Sequence, residues 1–184
     1  MEKARVGLYT LGCKVAQYET EALTEAFAAR GFAITDFSEP CDIYVVNTCT
    51  VTAESDRKAR QLIRRAHRQN PSARIMVVGC YSQTSPEEVG ALSGVAYVSG
   101  SDGKMKLPEV AERLLASPPM SPEYAVTAPV DIPFEPMCIT RAPRTRAYVK
   151  IEDGCECRCT HCAIPGARGT VRSKVPSEIG RAHV

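Results

Sequence analysis

Apolar positions along the first two thirds of the chain fall into short continuous runs separated by amphipathic stretches. Arg5–Thr10, Phe32–Phe37, Ile43–Asn47, Arg74–Val78 and Val95–Val98 read as strands. Ile43–Asn47 is apolar enough to be central in a parallel sheet. Between them, Tyr18–Arg30 places Ala22, Leu23, Ala26 and Phe27 on one helical face and ends at Gly31. A long helix capped by Thr52 or Ser55 runs to about Gln69, where Asn70-Pro71 stops it. Shorter helices are predicted from Ser85-Pro86 to Leu92 and over Lys106–Ala116. Strands alternating with helices predict an α/β domain with a parallel sheet over residues 1–116.

The pattern then changes. Ser117–Arg144 carries Pro118, Pro119, Pro122, Pro129, Pro133, Pro136 and Pro143, so residues 117–140 read as an extended linker poor in helix. Beyond it, Ala147–Glu152 alternates like a further strand and opens a second segment, residues 141–184.

Composition adds little and cysteine adds much. The hydrophobic fraction of 44% is ordinary for a globular protein, and a net charge of +2 is too small to predict a partner. Charge is uneven, however. Arg57, Lys58, Arg60, Arg64, Arg65 and Arg68 lie on the long helix, and Arg141–Lys174 is also basic, so either could meet a polyanion or be a solvated face. No apolar run is long enough for a membrane span, and Met1-Glu2-Lys3-Ala4 leads straight into a strand, so no signal peptide and a cytoplasmic location are expected. Nine cysteines without a leader suggest thiols kept reduced for metal.

Two groups of cysteines stand out. Cys13, Cys49 and Cys80 each sit one or two residues past a predicted parallel strand. Carboxyl ends of parallel strands share one edge of the sheet, where ligands bind, so three loops would bring three thiols together; buried packing cysteines are the alternative. Cys155, Cys159 and Cys162 have the spacing C-x3-C-x2-C, which suits three irons of a [4Fe–4S] cluster and leaves one iron open. A zinc cage that adds Cys157 and a disulfide knot are the alternatives for this loop. Cys41, Cys138 and Cys157 receive no role.

Taken together, Thr10-Leu-Gly-Cys-Lys-Val-Ala-Gln-Tyr-Glu-Thr-Glu21, Val46-Asn-Thr-Cys-Thr-Val51, Val78-Gly-Cys-Tyr-Ser-Gln83 and Lys150-Ile-Glu-Asp-Gly-Cys155 with its cysteine loop resemble the methylthiotransferases of the radical S-adenosylmethionine superfamily. The first motif is similar to the branch that acts on tRNA threonylcarbamoyladenosine, rather than the isopentenyladenosine or ribosomal-protein S12 aspartate branches. The resemblance implies an auxiliary [4Fe–4S] cluster on Cys13, Cys49 and Cys80. It implies a second cluster on Cys155, Cys159 and Cys162 that binds S-adenosylmethionine at the start of a radical (β/α) barrel. It further implies a tRNA substrate and an electron donor of flavodoxin or ferredoxin type. Gly154 and Gly169 would serve turns around the loop, and Pro165 and Arg168 would shape it or face substrate phosphate.

Three positions depart from the family pattern. Ala16 stands where Asn is usual, so a hydrogen bond near the auxiliary cluster is expected to be lost; His161 and Gly166 replace residues that are often Tyr. A whole barrel needs roughly 200 residues or more, and about forty follow Arg144. The chain is therefore expected to be an N-terminal fragment, inactive alone, with Ile179–Val184 an artificial tail.

Overall fold

The computed structural model describes residues 3–140 and 148–179. Six parallel strands form one sheet: β1 (Arg5–Thr10), β2 (Ala33–Thr35), β3 (Ile43–Thr48), β4 (Arg74–Gly79), β5 (Val95–Ser99) and β6 (Glu123–Ala125), in the order β2-β1-β3-β4-β5-β6. The helices are α1 (Lys14–Ala29), α2 (Ala53–Gln69), α3 (Cys80–Thr84), α4 (Pro86–Gly90), α5 (Leu107–Ala116), α6 (Ile164–Arg168) and α7 (Pro176–Ile179).

The continuous apolar run of β3 has a direct cause. Tyr44 and Val46 pack with Ala59, Ile63 and Ala66 of α2 on one face, while Ile43 and Val45 pack with Leu23 and Phe27 of α1 and Leu107 of α5 on the other. A strand covered on both faces has no solvent side to make polar. In the amphipathic α2, Ala59, Ile63 and Ala66 are the buried positions, and the Thr52 hydroxyl accepts the Ser55 amide at 3.2 Å, so Thr52 is the cap.

Two stretches differ from the sequence reading. The Pro-rich stretch is extended but also structural: Glu123–Ala125 adds β6 beside β5, and Met137 is buried against α1, its carbonyl accepting the Tyr18 hydroxyl at 2.6 Å. The strand expected over Ala147–Glu152 is only partly present. Ala147 lies outside the described residues, 148–151 are not strand, and Glu152–Asp153 (β7) pairs antiparallel with Arg172–Ser173 (β8). A barrel's first strand would need parallel neighbours. Among the described residues this segment pairs only with β8, so they contain no radical (β/α) barrel.

Strand order decides where a ligand fits. The chain passes from β1 to β2 on one side, then returns to place β3 on the other side of β1. Loops leaving the carboxyl ends of β1 and β3 therefore diverge and open a crevice, the usual ligand position in doubly wound sheets.

Candidate metal centre at the carboxyl edge of the sheet

Cys13 follows β1, Cys49 follows β3, and Cys80 directly follows β4. These strands are neighbours, in register through Thr10↔Asn47 and Thr48↔Gly79, so all three cysteines emerge on one edge at the β1/β3 crevice. The first two loops touch. Gly12 has φ +122°, and a Cβ there would lie 2.6 Å from the Cys49 Cβ and 3.0 Å from its sulfur. Only glycine allows this approach. Cys13 is exposed, whereas Cys49 and Cys80 are buried. Cys13 also stands at the N-cap position of the 16-residue α1, although its side chain makes no capping hydrogen bond.

A buried charge cluster lies beside this edge. Glu19 of α1 is fully buried and pairs with Lys150 at 3.1 Å, Arg168 at 2.9 Å and Lys104 at 3.6 Å. Asp153 pairs with Lys150 at 2.5 Å, Arg168 at 3.1 Å and Arg172 at 3.4 Å. Burial alone would raise the Glu19 carboxyl, but the charges of Lys104, Arg168 and Lys150 outweigh it and hold it far below the usual carboxylate range. Asp153 is likewise lowered, burial being overcome by Arg168 and Lys150. Burial lowers Lys104, with repulsion from Arg168 and Lys150 acting in the same direction and Glu19 opposing. Thus Glu19 and Asp153 meet four cations, and the charge of Glu135 also acts on Lys104.

Arg168 links this cluster to the cysteines: its Nε donates to the Cys80 sulfur at 3.3 Å. Burial pushes the Cys80 thiol up, and the guanidinium acts against that. The donor set therefore fits an anionic iron–sulfur group. Three thiols stand on adjacent loops, a helix N-terminus lies at one of them, and buried positive charge lies at another. Among the described residues no three His, Cys, Asp or Glu side chains close on a point as the ligands of one ion do. Thiolates on a cubane each hold a different iron and stand farther apart.

The second cysteine loop lies alongside. Cys155 and Cys162 are half-buried, and Cys157 and Cys159 are exposed. Backbone bonds shape the loop: the Cys155 amide donates to the Gly169 carbonyl at 3.0 Å, and the Cys162 amide to the Cys159 carbonyl at 3.0 Å. Gly154 and Gly169 have φ +82° and +73°, in line with the turn role expected of them, and a Cβ on Gly154 would overlap the Thr170 carbonyl. A cavity of about 510 Å³ opens here, lined by Cys155, Pro165, Gly166, Gly169, Thr170 and Pro129. That size suits a small-molecule ligand.

Other sequence expectations fare differently. Arg168 does not face a phosphate; it is 3% exposed and committed to Glu19, Asp153 and Cys80. Cys41 is a core residue whose sulfur contacts the Glu39 carbonyl at 3.4 Å. Ala16 is buried and its carbonyl accepts the Asn47 side-chain amide at 3.1 Å, while the Asn47 Oδ1 is buried without a hydrogen-bond partner. His161 and Gly166 are exposed. Sequence reasoning missed Glu19, Lys104, Lys150 and Asp153. Glu19, Lys150 and Asp153 stood inside motifs already singled out, and a buried acid announces itself only through its partners.

Comparison with known proteins places these residues in context. The profile of the uncharacterized protein family UPF0004 matches residues 5–100. The threonylcarbamoyladenosine tRNA methylthiotransferase MtaB of Bacillus subtilis is 44% identical over 178 residues, 96% of this chain and 39% of the relative. The enzyme of that name from Aquifex aeolicus is 36% identical over 172 residues, 92% of this chain and 41% of the relative. The ribosomal protein uS12 methylthiotransferase RimO of Roseiflexus castenholzii is 28% identical over 194 residues, 92% of this chain and 40% of the relative. The chain thus spans about two fifths of the length of these curated relatives. With β1 to β5 and all three strand-end cysteines inside the matched region, which covers more than half of the chain, the chain belongs to family UPF0004.

Proposed function

We propose that this chain is the cluster-binding N-terminal part of a tRNA threonylcarbamoyladenosine methylthiotransferase. The observation that carries the reading is the meeting of two cysteine triplets, Cys13/Cys49/Cys80 and Cys155/Cys159/Cys162, across one buried charge cluster in a chain 44% identical to an enzyme of that name. Each triplet would hold a [4Fe–4S] cluster through three thiolates, and the 510 Å³ cavity beside Cys155 would admit S-adenosylmethionine. When bound, the clusters and S-adenosylmethionine supply the reductive sulfonium cleavage and the sulfur that is transferred.

The chain's own residues do the positioning. Gly12 lets the Cys13 and Cys49 loops touch, and buried Cys49 and Cys80 leave water access mainly on the Cys13 side. The exposed Lys58, Arg65 and Arg68 of α2 line a groove with Tyr9 and Leu11, which supports a tRNA partner met through phosphates. A flavodoxin- or ferredoxin-type protein would deliver electrons. A cytoplasmic location accords with this chemistry, and none of the described helices is long and apolar enough to cross a membrane.

Deletion of the intact gene, followed by mass spectrometry of tRNA nucleosides, tests the reading. Loss of the methylthio group from threonylcarbamoyladenosine alone is expected. Its loss instead from isopentenyladenosine, or from the S12 aspartate, would assign the protein to another branch.

A further inference from the structure

We propose that Arg168 is a positioning residue for the strand-end cysteine site: its Nε–H donates to the Cys80 sulfur and raises the reduction potential of the iron–sulfur group held there. This rests on the reading that Cys13, Cys49 and Cys80 hold an auxiliary cluster.

The geometry fixes the guanidinium with little freedom. One terminal nitrogen contacts Glu19 Oε1 at 2.9 Å and both Asp153 oxygens at 3.1 Å. The other contacts Glu19 Oε2 at 3.3 Å. Two carboxylates thus hold the fork and leave the Nε edge turned to Cys80 at 3.3 Å. A planar guanidinium clamped this way presents its remaining N–H in one direction. Glu19 comes from α1 and Asp153 from β7, so the aim of Arg168 is set by two distant parts of the chain.

The chemistry of a thiolate ligand gives this contact a consequence. An N–H donor withdraws electron density from sulfur, and a nearby positive charge favours the more negative reduced cluster; both raise its potential. Arg168 also ends the helix that follows Cys162, so the residue tuning one cysteine site is anchored to the loop of the other. Movement of that loop would shift the aim of Arg168 at Cys80.

The experiment uses this 184-residue chain with Cys155, Cys159 and Cys162 changed to Ser, so that one site remains. It is reconstituted anaerobically with iron and sulfide and followed by redox titration with electron paramagnetic resonance. Arg168→Met is expected to lower the reduced-to-oxidised ratio at fixed potential about tenfold, about 59 mV for one electron. An unchanged midpoint overturns the role of Arg168 while leaving the cluster reading intact. If the parent chain takes up no iron, the cluster reading fails and the proposal falls with it. Because Arg168→Met strips a buried pair and could prevent folding, a second measurement leaves residue 168 alone. Chain labelled with ¹⁵N-arginine and reduced should show one weak nitrogen hyperfine coupling to the cluster. Its absence overturns the proposal.

Discussion

Glu19 is the residue on which the buried charge converges. It sits one turn into α1, yet its partners Lys104, Lys150 and Arg168 come from three later segments. Glu19→Gln would leave these cations facing one another without a counter-charge, a loss of about 3–5 kcal/mol in a buried setting. Urea denaturation should show that drop as a lower midpoint with an unchanged slope. The same residue sets an acid limit. Glu19 and Asp153 have folded pKa values below their unfolded ones, so their contribution is present above the unfolded values and is lost as pH falls toward the folded ones. Stability should be nearly flat above about pH 5 and fall below about pH 4, and Glu19→Gln should flatten that fall. Sequence reading could nominate Arg168 by its place after the cysteine loop, but not its direction. Glu19 and Asp153 hold it from 149 and 15 positions away, and nothing local signals such pairs.

At the scale of elements, legibility followed burial. β1, β3, β4 and β5 lie within one residue of their expected ends, and in β3, β4 and β5 packing on both faces writes continuous apolar runs. β6 was read as linker because Glu-Tyr-Ala among prolines is an edge strand with one neighbour and little apolar signal. α1 begins at Lys14, before the expected Tyr18, because no Ser, Thr, Asp or Asn marks its start; Cys13 holds the N-cap position without a side-chain capping bond. In α2 the cap is conventional, and Thr52→Ala should cost about 1 kcal/mol, read as a lower unfolding midpoint. α2 also offers the test of the tRNA surface. Changing Lys58, Arg65 and Arg68 to Gln should weaken tRNA binding by the full-length protein and reduce the slope of log affinity against log salt by up to about 3. An unchanged slope would place the tRNA elsewhere.

For the molecule as a whole, the three strand-end cysteines were legible as a group because strand ends in a parallel sheet share an edge whatever the loops do. The crevice that gathers them depends on strand order, and it was the placement of β3 beside β1 that the sequence left open. The docking of the second cysteine loop on the same edge was not legible at all. It depends on the buried ions and on the antiparallel β7–β8 ribbon, formed by two-residue strands too short to leave a pattern. The proposed function requires two separate thiol triplets, each holding one cluster. Iron content per chain after anaerobic reconstitution measures this directly. About eight irons are predicted for the unaltered chain, and about four when Cys13, Cys49 and Cys80 are all changed to Ala. Retention of the full iron content in that triple variant would contradict the account.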